Sequence, residues 1–264
     1  MGNMYPIIFR FGNFTVYSYG LMIATAFFVG ISLARKEAVR MGQDPEKIVD
    51  LSFYILISAI IGSRIFYVMT DLDVFLADPV EIFRIWNGGL VFYGGFIMAT
   101  IVAVIYMKIT RMPLWQTADI MAPGLALGQS IGRIGCFFAG CCYGKICNLP
   151  WAVTFTNPNS LAPRGIPLHP TQIYSVISDF LIFAVLWFFR KKSRFHGQIF
   201  WLYVLLYGIT RPIVEIYRGD FRGQTFFEIF SISQIIGAVM AVLAVIMMII
   251  LNKHYRQRGT HLRT

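Results

Sequence analysis

Apolar residues run through this chain in seven long segments that are separated by shorter polar connections. Each segment approaches the ~20 residues that a helix needs to cross a bilayer. The segments cover residues 16–34, 49–70, 89–107, 118–135, 171–189, 197–217 and 231–251. The fourth is the least apolar, because it contains Asp119, Pro123 and several glycines. The pattern predicts an all-α integral membrane protein with seven transmembrane helices.

Positive charges in the connections predict how these helices are oriented. With the N-terminus outside, fourteen Lys and Arg residues fall on the inner side and six on the outer side. The remaining three, Arg64, Arg133 and Arg211, lie within apolar segments. Because cytoplasmic loops of membrane proteins carry the excess of Lys and Arg, we expect an outside N-terminus and a cytoplasmic C-terminus.

The composition agrees with a membrane location and argues against nucleic acid as a partner. Hydrophobic residues make up 57% of the 264 residues and charged residues 14%, against about 25% charged residues in soluble domains. The net charge of +10 is spread between the apolar segments and does not form one basic face, as a nucleic-acid interface would. We expect membrane lipids to surround a single transmembrane domain, residues 1–264.

Two longer connections predict a small extracytoplasmic head on the outer side. Residues 71–88 are typical of a short amphipathic helix and form a predicted interfacial arm. Residues 136–170 form the predicted head segment, in which Gly, Pro and Asn surround the alternating stretch WAVTFT, a pattern typical of a short strand. Because the inner connections are short and basic, we expect an active site to face the outer side.

Charged side chains within the apolar segments indicate an anion-binding site. An ionisable side chain at membrane depth is costly, so it pairs or lines a cavity. Tyr207, Arg211 and Glu215 share one helix face. Arg133 lies in GQSIGRIG, whose glycines permit close helix packing or expose backbone N–H groups to an anion. Either Arg211 and Glu215 only fix helix packing, or the two arginines bind the phosphate of a lipid headgroup. Arg64 fits a structural role better.

Six motifs resemble, in order, those of prolipoprotein diacylglyceryl transferases, which are bacterial integral membrane enzymes. The motifs are YPIIFRFGNFTVYSYGLMIA, GSRIFYV, RIWNGGLVFYGG, IGRIGCFFAGCCYG, HPTQIY and YGITRPIVEIYR. The resemblance implies transfer of the diacylglyceryl group of phosphatidylglycerol to the lipobox cysteine of preprolipoproteins, which forms a thioether and releases glycerol 1-phosphate. It also implies a multi-pass protein of the bacterial cytoplasmic (inner) membrane that needs no metal and no cofactor.

The resemblance further implies which residues act. The family's important residues map onto Tyr19, Arg133, Gly144, Tyr207, Arg211 and Glu215. In the expected chemistry a thiolate attacks a carbon that carries a phosphate leaving group, and the two arginines stabilise the departing charge. The expected catalytic residues are Arg133, Arg211, Tyr19, Tyr93 and His169. The expected substrate-binding residues are Arg133, Arg211, Tyr207, Glu215, Gly144 and Gln172.

Several positions depart from the family pattern. Tyr93, in GGLVFYGG, replaces a histidine that is often proposed as the base, and tyrosine, with a pKa of about 10, is a poorer base at neutral pH. His169 is another candidate base, or it caps a helix or packs under a loop. Cys136, Ala139 and Cys141 replace two asparagines and a glutamate. Two alternatives therefore stay open: a related membrane transferase with a different acceptor, and a lipid-binding or transport protein.

The four cysteines, at positions 136, 141, 142 and 147, lie within twelve residues on the predicted outer side. A disulfide is expected there if the compartment is oxidising, although its connectivity cannot be deduced from sequence. The spacing differs from the paired CxxC spacing typical of a metal site. A disulfide or simple packing is therefore favoured over a metal site or a catalytic cysteine.

Overall fold

The computed structural model of the chain describes residues 4–12, 14–84, 88–220 and 232–261, and most of these residues are helical. The α-helices are α1 Ser18–Arg40, α2 Pro45–Thr70, α3 Leu72–Ala77, α4 Phe92–Ile109, α5 Leu114–Ala139, α6 Thr171–Phe189, α7 Gln198–Ile216 and α8 Ile232–His261. Part of the predicted arm, residues 85–87, and two of the counted arginines, Arg222 and Arg263, lie outside the described residues.

A long helix occupies each of the seven predicted apolar segments. Six of these helices are long and apolar enough to cross a membrane, namely α1, α2, α4, α6, α7 and the Ile232–Gln257 part of α8. The helix α5 is not among the six. The prediction of a helical membrane protein is therefore confirmed, whereas the count of seven spans and their orientation stay predictions.

The chain divides into two compact units. Unit 1 comprises Met1–Ala34 and Ala118–Thr264, and unit 2 comprises Arg35–Thr117. In unit 1, five buried residues join α5, α6 and α7 in one hydrophobic cluster: Ala122, Ala126, Ile182, Leu186 and Ile199. The most buried residues of α5, including Ile120, have no exposed surface. This helix is shielded by its neighbours, which explains why its sequence is less apolar than that of the other six.

Glycines bring α1 and α5 close together in unit 1. A Cβ atom on Gly124 would lie 2.6 Å from the carbonyl oxygen of Gly30, and one on Gly135 would lie 2.9 Å from Cβ of Met22. The second contact also involves Tyr19, whose Cδ2 atom would lie 3.3 Å from that Cβ. For Gly135, the expectation that glycines near Arg133 permit close backbone approach is therefore confirmed.

A buried carboxylate of α5 caps the start of α7. Asp119 is 4% exposed and accepts hydrogen bonds from the backbone N–H groups of Gly197, at 2.7 Å, and Phe200, at 2.8 Å. The first N–H groups of a helix have no partner within the helix, and negative charge at this end is favourable. Asp119, which makes the fourth apolar segment look weak, is therefore a structural link between two helices.

In unit 2, α2 packs against α4, and Arg64 of α2 holds the segment that follows it. Arg64 is 6% exposed and donates to the carbonyl oxygens of Ile82, at 3.0 Å, of Gly88, at 2.7 Å, and of Glu81. Its guanidinium also lies over the ring of Phe75, 5.2 Å from the centroid. The structural role expected for Arg64 is confirmed.

The predicted arm contains two short helices instead of one. The helix α3 is followed by a 3₁₀-helix, Pro79–Phe83, and the side chain of Asp78 accepts from the N–H of Val80 at 3.2 Å. The prediction of one helix was wrong because Pro79 has no N–H to continue the hydrogen bonding of α3.

Two small antiparallel sheets, both in unit 1, complete the fold. Strands β3, Val153–Thr154, and β4, Pro167–Leu168, pair within the predicted head, so the strand expected in WAVTFT is confirmed in shortened form. Strands β1, Ile7–Phe11, and β2, Phe14–Tyr17, form a hairpin before α1 that the sequence analysis missed. Gly12 follows β1 with a φ of +56°, a conformation that glycine adopts readily.

Candidate functional site

Three segments meet where α5 and α7 end and α6 begins, and Gly144 lies at their junction. The N–H of Gly144 donates to the carbonyl oxygen of His169 at 3.1 Å, and Gly144 pairs with Arg218 in an antiparallel bridge. The N–H of Lys145 donates to the carbonyl oxygen of Tyr217 at 2.8 Å. We call these segments, residues 143–145, 169 and 217–219, the junction.

Only a glycine fits at position 144 without displacing its neighbours. A Cβ atom there would lie 2.5 Å from both Cβ and the carbonyl oxygen of His169, and 2.8 Å from the carbonyl oxygen of Tyr217. Two of these atoms belong to backbone, which cannot rotate away as a side chain can. The structure therefore gives Gly144 a packing role, and its expected role in substrate binding stays a prediction.

His169 packs into an aromatic cluster beside the junction. Its Nδ1 atom lies 3.1 Å from the hydroxyl oxygen of Tyr174, and that oxygen accepts a hydrogen bond from Nε1 of Trp151 at 2.8 Å. The His169 ring also lies 5.2 Å from the ring of Tyr217, between centroids. None of the described contacts joins His169 to Arg133 or Arg211. The geometry shows the packing role expected as one alternative, and catalysis by His169 stays a prediction.

Arg133 of α5 has a half-buried side chain with few strong acceptors around it. Its Nη1 atom lies 4.0 Å from Sγ of Cys142. Among the residues that the structure describes, no carboxylate oxygen lies within 4.0 Å of its guanidinium. Tyr207 and Asp179 interact with it electrostatically at longer range. Since sulfur is a weak acceptor, Arg133 retains N–H donors for an anion.

Arg211 and Glu215, which lie one turn apart on α7, form a nearly buried ion pair. The Nη1 and Oε2 atoms are 2.5 Å apart, and the two side chains are 12% and 10% exposed. This is the pair that the sequence predicts from the shared helix face. Glu215 offsets the charge of Arg211 and restrains its position, so the guanidinium is compensated although it is nearly buried.

Asp179 of α6 is a buried acidic residue within electrostatic range of both arginines, and the sequence analysis missed it. It is 4% exposed and interacts electrostatically with both Arg133 and Arg211. A single acidic residue in the apolar run SVISDFLIFAV is itself a signal of a buried polar site. Arg133 and Arg211, on different helices, therefore both lie within electrostatic range of one buried carboxylate in unit 1.

Tyrosines from α1 and α7 accompany these charges. Tyr207 interacts electrostatically with Arg133, and its ring stacks on that of Tyr203 with 6.0 Å between centroids. The Tyr203 hydroxyl in turn donates to Oε1 of Gln129 on α5 at 2.9 Å. Tyr19, near the start of α1, also interacts electrostatically with Arg133. Tyr19 and Tyr207 thus lie within electrostatic range of Arg133, as Asp179 does.

Two further predicted residues, Gln172 and Tyr93, make other contacts. Gln172, fully buried in the first turn of α6, donates from Nε2 to the carbonyl oxygen of Cys141 at 2.8 Å, so it anchors the loop after α5. Tyr93 belongs to unit 2, where its exposed ring contacts Phe92 at 5.8 Å between centroids. Their expected roles in binding and catalysis stay predictions.

No disulfide joins the four cysteines, all of which the structure describes, so packing, the alternative to a disulfide, is what the structure shows. The sulfur atoms of Cys136, Cys141 and Cys142 all lie within 4.8 Å of one another. Hydrogen bonds from the thiols of Cys136 and Cys141, with the positive charges of Arg218 and Arg133, lower the pKa of the Cys142 thiol from its ordinary value although burial opposes this. Arg218 itself is held by Asp220, with 2.6 Å between Nε and Oδ1.

A cavity of about 340 Å³ lies beside the start of α1. Its lining residues are Tyr5, Ile8, Ser18, Met22 and Phe138. They come from the N-terminal hairpin region, from α1 and from the end of α5. Neither arginine lines this cavity, but Met22 and Tyr19 contact the same glycine of α5, Gly135.

Six helices that are long and apolar enough to cross a membrane indicate a polytopic membrane protein, and two of its long helices in unit 1 carry the arginines Arg133 and Arg211. The sequence profile described as "Prolipoprotein diacylglyceryl transferase" matches residues 6–250. The chain therefore belongs to the prolipoprotein diacylglyceryl transferase family.

Individual relatives agree over most of the chain. A protein of Clostridium tetani named phosphatidylglycerol–prolipoprotein diacylglyceryl transferase is 38% identical over 92% of this chain and 96% of its own length. Proteins of the same name from Trichormus variabilis and Pasteurella multocida are 38% and 35% identical. The alignments cover 81% and 93% of this chain, and 79% and 91% of those proteins.

Proposed function

We propose that this protein transfers the diacylglyceryl group of phosphatidylglycerol to the thiol of the lipobox cysteine in a preprolipoprotein. A carbon–sulfur bond forms, the carbon–oxygen bond to the phosphate breaks, and glycerol 1-phosphate leaves. The family match over residues 6–250 supports the reaction. The observation that carries the site is the nearly buried ion pair of Arg211 and Glu215, with 2.5 Å between Nη1 and Oε2.

Arg133 and Arg211 bind the phosphate of the lipid in this proposal. Negative charge grows on the phosphate as the carbon–oxygen bond breaks, and fixed donors in a medium of low dielectric stabilise such charge best. Arg133 keeps donors free among its described neighbours, whereas Arg211 is positioned by Glu215, 2.5 Å away. Tyr19 and Tyr207, which both interact electrostatically with Arg133, supply hydroxyl groups in this proposal.

The charge at Arg133 suits a headgroup with one negative charge. The guanidinium of Arg211 is paired with Glu215 at 2.5 Å, whereas no carboxylate oxygen of the described residues lies within 4.0 Å of the guanidinium of Arg133. Because Glu215 engages Arg211 directly, most of the unneutralised positive charge lies at Arg133. We infer that Arg133 makes the principal contact with phosphate and that Arg211 makes the second.

The protein spans the bacterial cytoplasmic membrane seven times in this proposal, with its N-terminus outside and its C-terminus inside. The excess of Lys and Arg on the inner side supports this orientation. Helix α5, with 26 residues, is the additional span beside the six strongly apolar helices. Its sequence can be less apolar because much of its surface is buried against protein. The junction and the outer end of α5 then face the outer side, where lipoprotein precursors arrive.

Mass spectrometry of an acceptor peptide tests the proposal. The purified protein in detergent is incubated with a synthetic lipobox peptide and phosphatidylglycerol, and we expect the peptide to gain one diacylglyceryl group. The matched control is the same peptide with serine in place of the lipobox cysteine, which has no thiol and stays unmodified. Replacement of phosphatidylglycerol by phosphatidylethanolamine removes the expected donor and also leaves the peptide unmodified.

Two results would overturn the proposal in distinct ways. Release of glycerol 1-phosphate without modification of the peptide would favour a transferase with another acceptor. An unmodified peptide with no phosphate release, from protein that keeps its helical content, would favour lipid binding or transport.

A further inference from the structure

Three thiols converge at the end of α5 although their spacing in the sequence does not suggest it. Cys136 lies in the last turn of α5, and Cys141 and Cys142 follow the helix. All three sulfur atoms lie within 4.8 Å of one another. An ion with metal–sulfur bonds of about 2.3 Å holds three thiolates about 3.8–4.0 Å apart. The observed arrangement needs a contraction of less than about 1 Å to reach that geometry.

A sharp reversal of the chain produces this convergence. Gly140 follows α5 with a φ of +77°, and Cys142 adopts a φ of +61°, which a residue with a side chain rarely does. The reversal brings Sγ of Cys141 within 3.8 Å of the carbonyl oxygen of Cys136. Such a backbone conformation persists only where its surroundings hold it.

Buried hydrogen bonds from α6 hold the loop in this conformation. The hydroxyl of Thr171 donates to the carbonyl oxygen of Cys142 at 2.7 Å, and Nε2 of Gln172 donates to that of Cys141 at 2.8 Å. Both donors are at most 2% exposed. The three thiols are therefore carried by a helix and by a loop fixed to a second helix, so they are organised before any ligand arrives.

Charge and access also suit a soft cation. A divalent ion with three thiolates carries one net negative charge, and Nη1 of Arg133 lies 4.0 Å from Sγ of Cys142. Cys136 is buried, whereas Cys141 and Cys142 are partly exposed, which leaves a path for an ion to enter. Sulfur ligands select zinc and related thiophilic ions over magnesium or calcium.

We propose that Cys136, Cys141 and Cys142 form a binding site for one thiophilic divalent metal ion of the zinc and cadmium type. Each cysteine loses its proton to the solvent as its sulfur binds the ion, and no oxidation state changes. Three protein ligands leave a fourth, open coordination position. The proposal does not depend on the transfer reaction, and Cys147 is not part of the site.

Titration with Cd²⁺ tests the site directly. The full-length protein, reduced and freed of metal in detergent, is titrated while the ultraviolet charge-transfer absorption from thiolate to cadmium is recorded. We expect one Cd²⁺ per chain and an absorption typical of three thiolates. Cys147→Ser is the matched control and keeps the wild-type titration, whereas Cys142→Ser binds Cd²⁺ at least tenfold more weakly.

Protection from alkylation makes the test independent of how the variants fold. In the wild-type protein, bound Cd²⁺ slows alkylation of the peptides that carry Cys136, Cys141 and Cys142, and leaves that of Cys147 unchanged. The proposal would be overturned if Cd²⁺ protected all four cysteines equally from alkylation, or if it protected none of them. A disulfide between two of the three thiols in protein isolated without reductant would overturn it as well.

Discussion

Arg211 and Glu215 form an ion pair one turn apart on α7, with 2.5 Å between Nη1 and Oε2 and both side chains nearly buried. Removal of one partner from a buried pair leaves a charge without compensation, which costs about 3–5 kcal/mol. We therefore expect Glu215→Gln to lower the thermal stability of the detergent-solubilised protein and to reduce transfer. Both effects are measured on the same preparation.

The double variant Arg211→Met/Glu215→Leu separates a structural role of the pair from a functional one. Replacement of both charges by apolar residues of similar volume is often neutral for stability or favourable. We expect this variant to regain the stability lost in Glu215→Gln and to remain inactive, because the phosphate contact of Arg211 is missing. An active double variant would show that the pair only fixes helix packing.

Asp119 of α5 is expected to stabilise the start of α7, although the two elements are far apart in the sequence. The variant Asp119→Asn loses the charge and one acceptor oxygen for the N–H groups of Gly197 and Phe200, at an expected cost of about 1–3 kcal/mol. Hydrogen exchange should accelerate at these two amides. The control Asp73→Asn, at an exposed position on α3, should change neither exchange nor stability. Unchanged protection at Gly197 in Asp119→Asn would contradict this role.

Two glycines should respond to alanine with opposite signs. A Cβ atom on Gly144 would meet backbone at 2.5 Å, so Gly144→Ala should cost about 1–3 kcal/mol of stability. On Gly132, within α5, the nearest atom would be Cδ1 of Ile23 at 3.5 Å, an ordinary contact. Gly132→Ala should be neutral or stabilising by up to about 1 kcal/mol, since alanine favours a helix. Thermal unfolding measures the stability of both variants. An equal loss of stability in both would contradict the different packing of the two glycines.

The sequence predicts the long helices well because a membrane imposes length and apolar composition on every span. It is less informative where polar residues have packing roles, as with Asp119, which weakens the fourth segment yet caps α7. The missed hairpin did have a signal, the GN pair between IIFRF and FTVY, which is typical of a tight turn. The sequence also contains a signal for Asp179, which is the single acidic residue in the apolar run SVISDFLIFAV.

Other features of the site could not be predicted from sequence. The convergence of the three thiols depends on the reversal at Gly140 and on hydrogen bonds from Thr171 and Gln172, which are distant in the chain. Position 144 requires glycine because His169 and Tyr217 contact it, and neither contact follows from a local pattern. Such tertiary contacts decide which of the motif residues act on substrate and which hold the fold.

The rate of transfer by the variant Arg133→Lys shows whether Arg133 binds the phosphate of the donor lipid. Lysine keeps the charge but loses the planar array of donors, and loss of one transition-state donor lowers a rate by about 10²–10³-fold. The matched control is Arg194→Ala, an exposed arginine in the connection before α7. We expect kcat/KM for phosphatidylglycerol to fall by that factor in Arg133→Lys and to stay at the wild-type value in Arg194→Ala. A wild-type rate in a folded Arg133→Lys variant would show that Arg133 does not bind the phosphate.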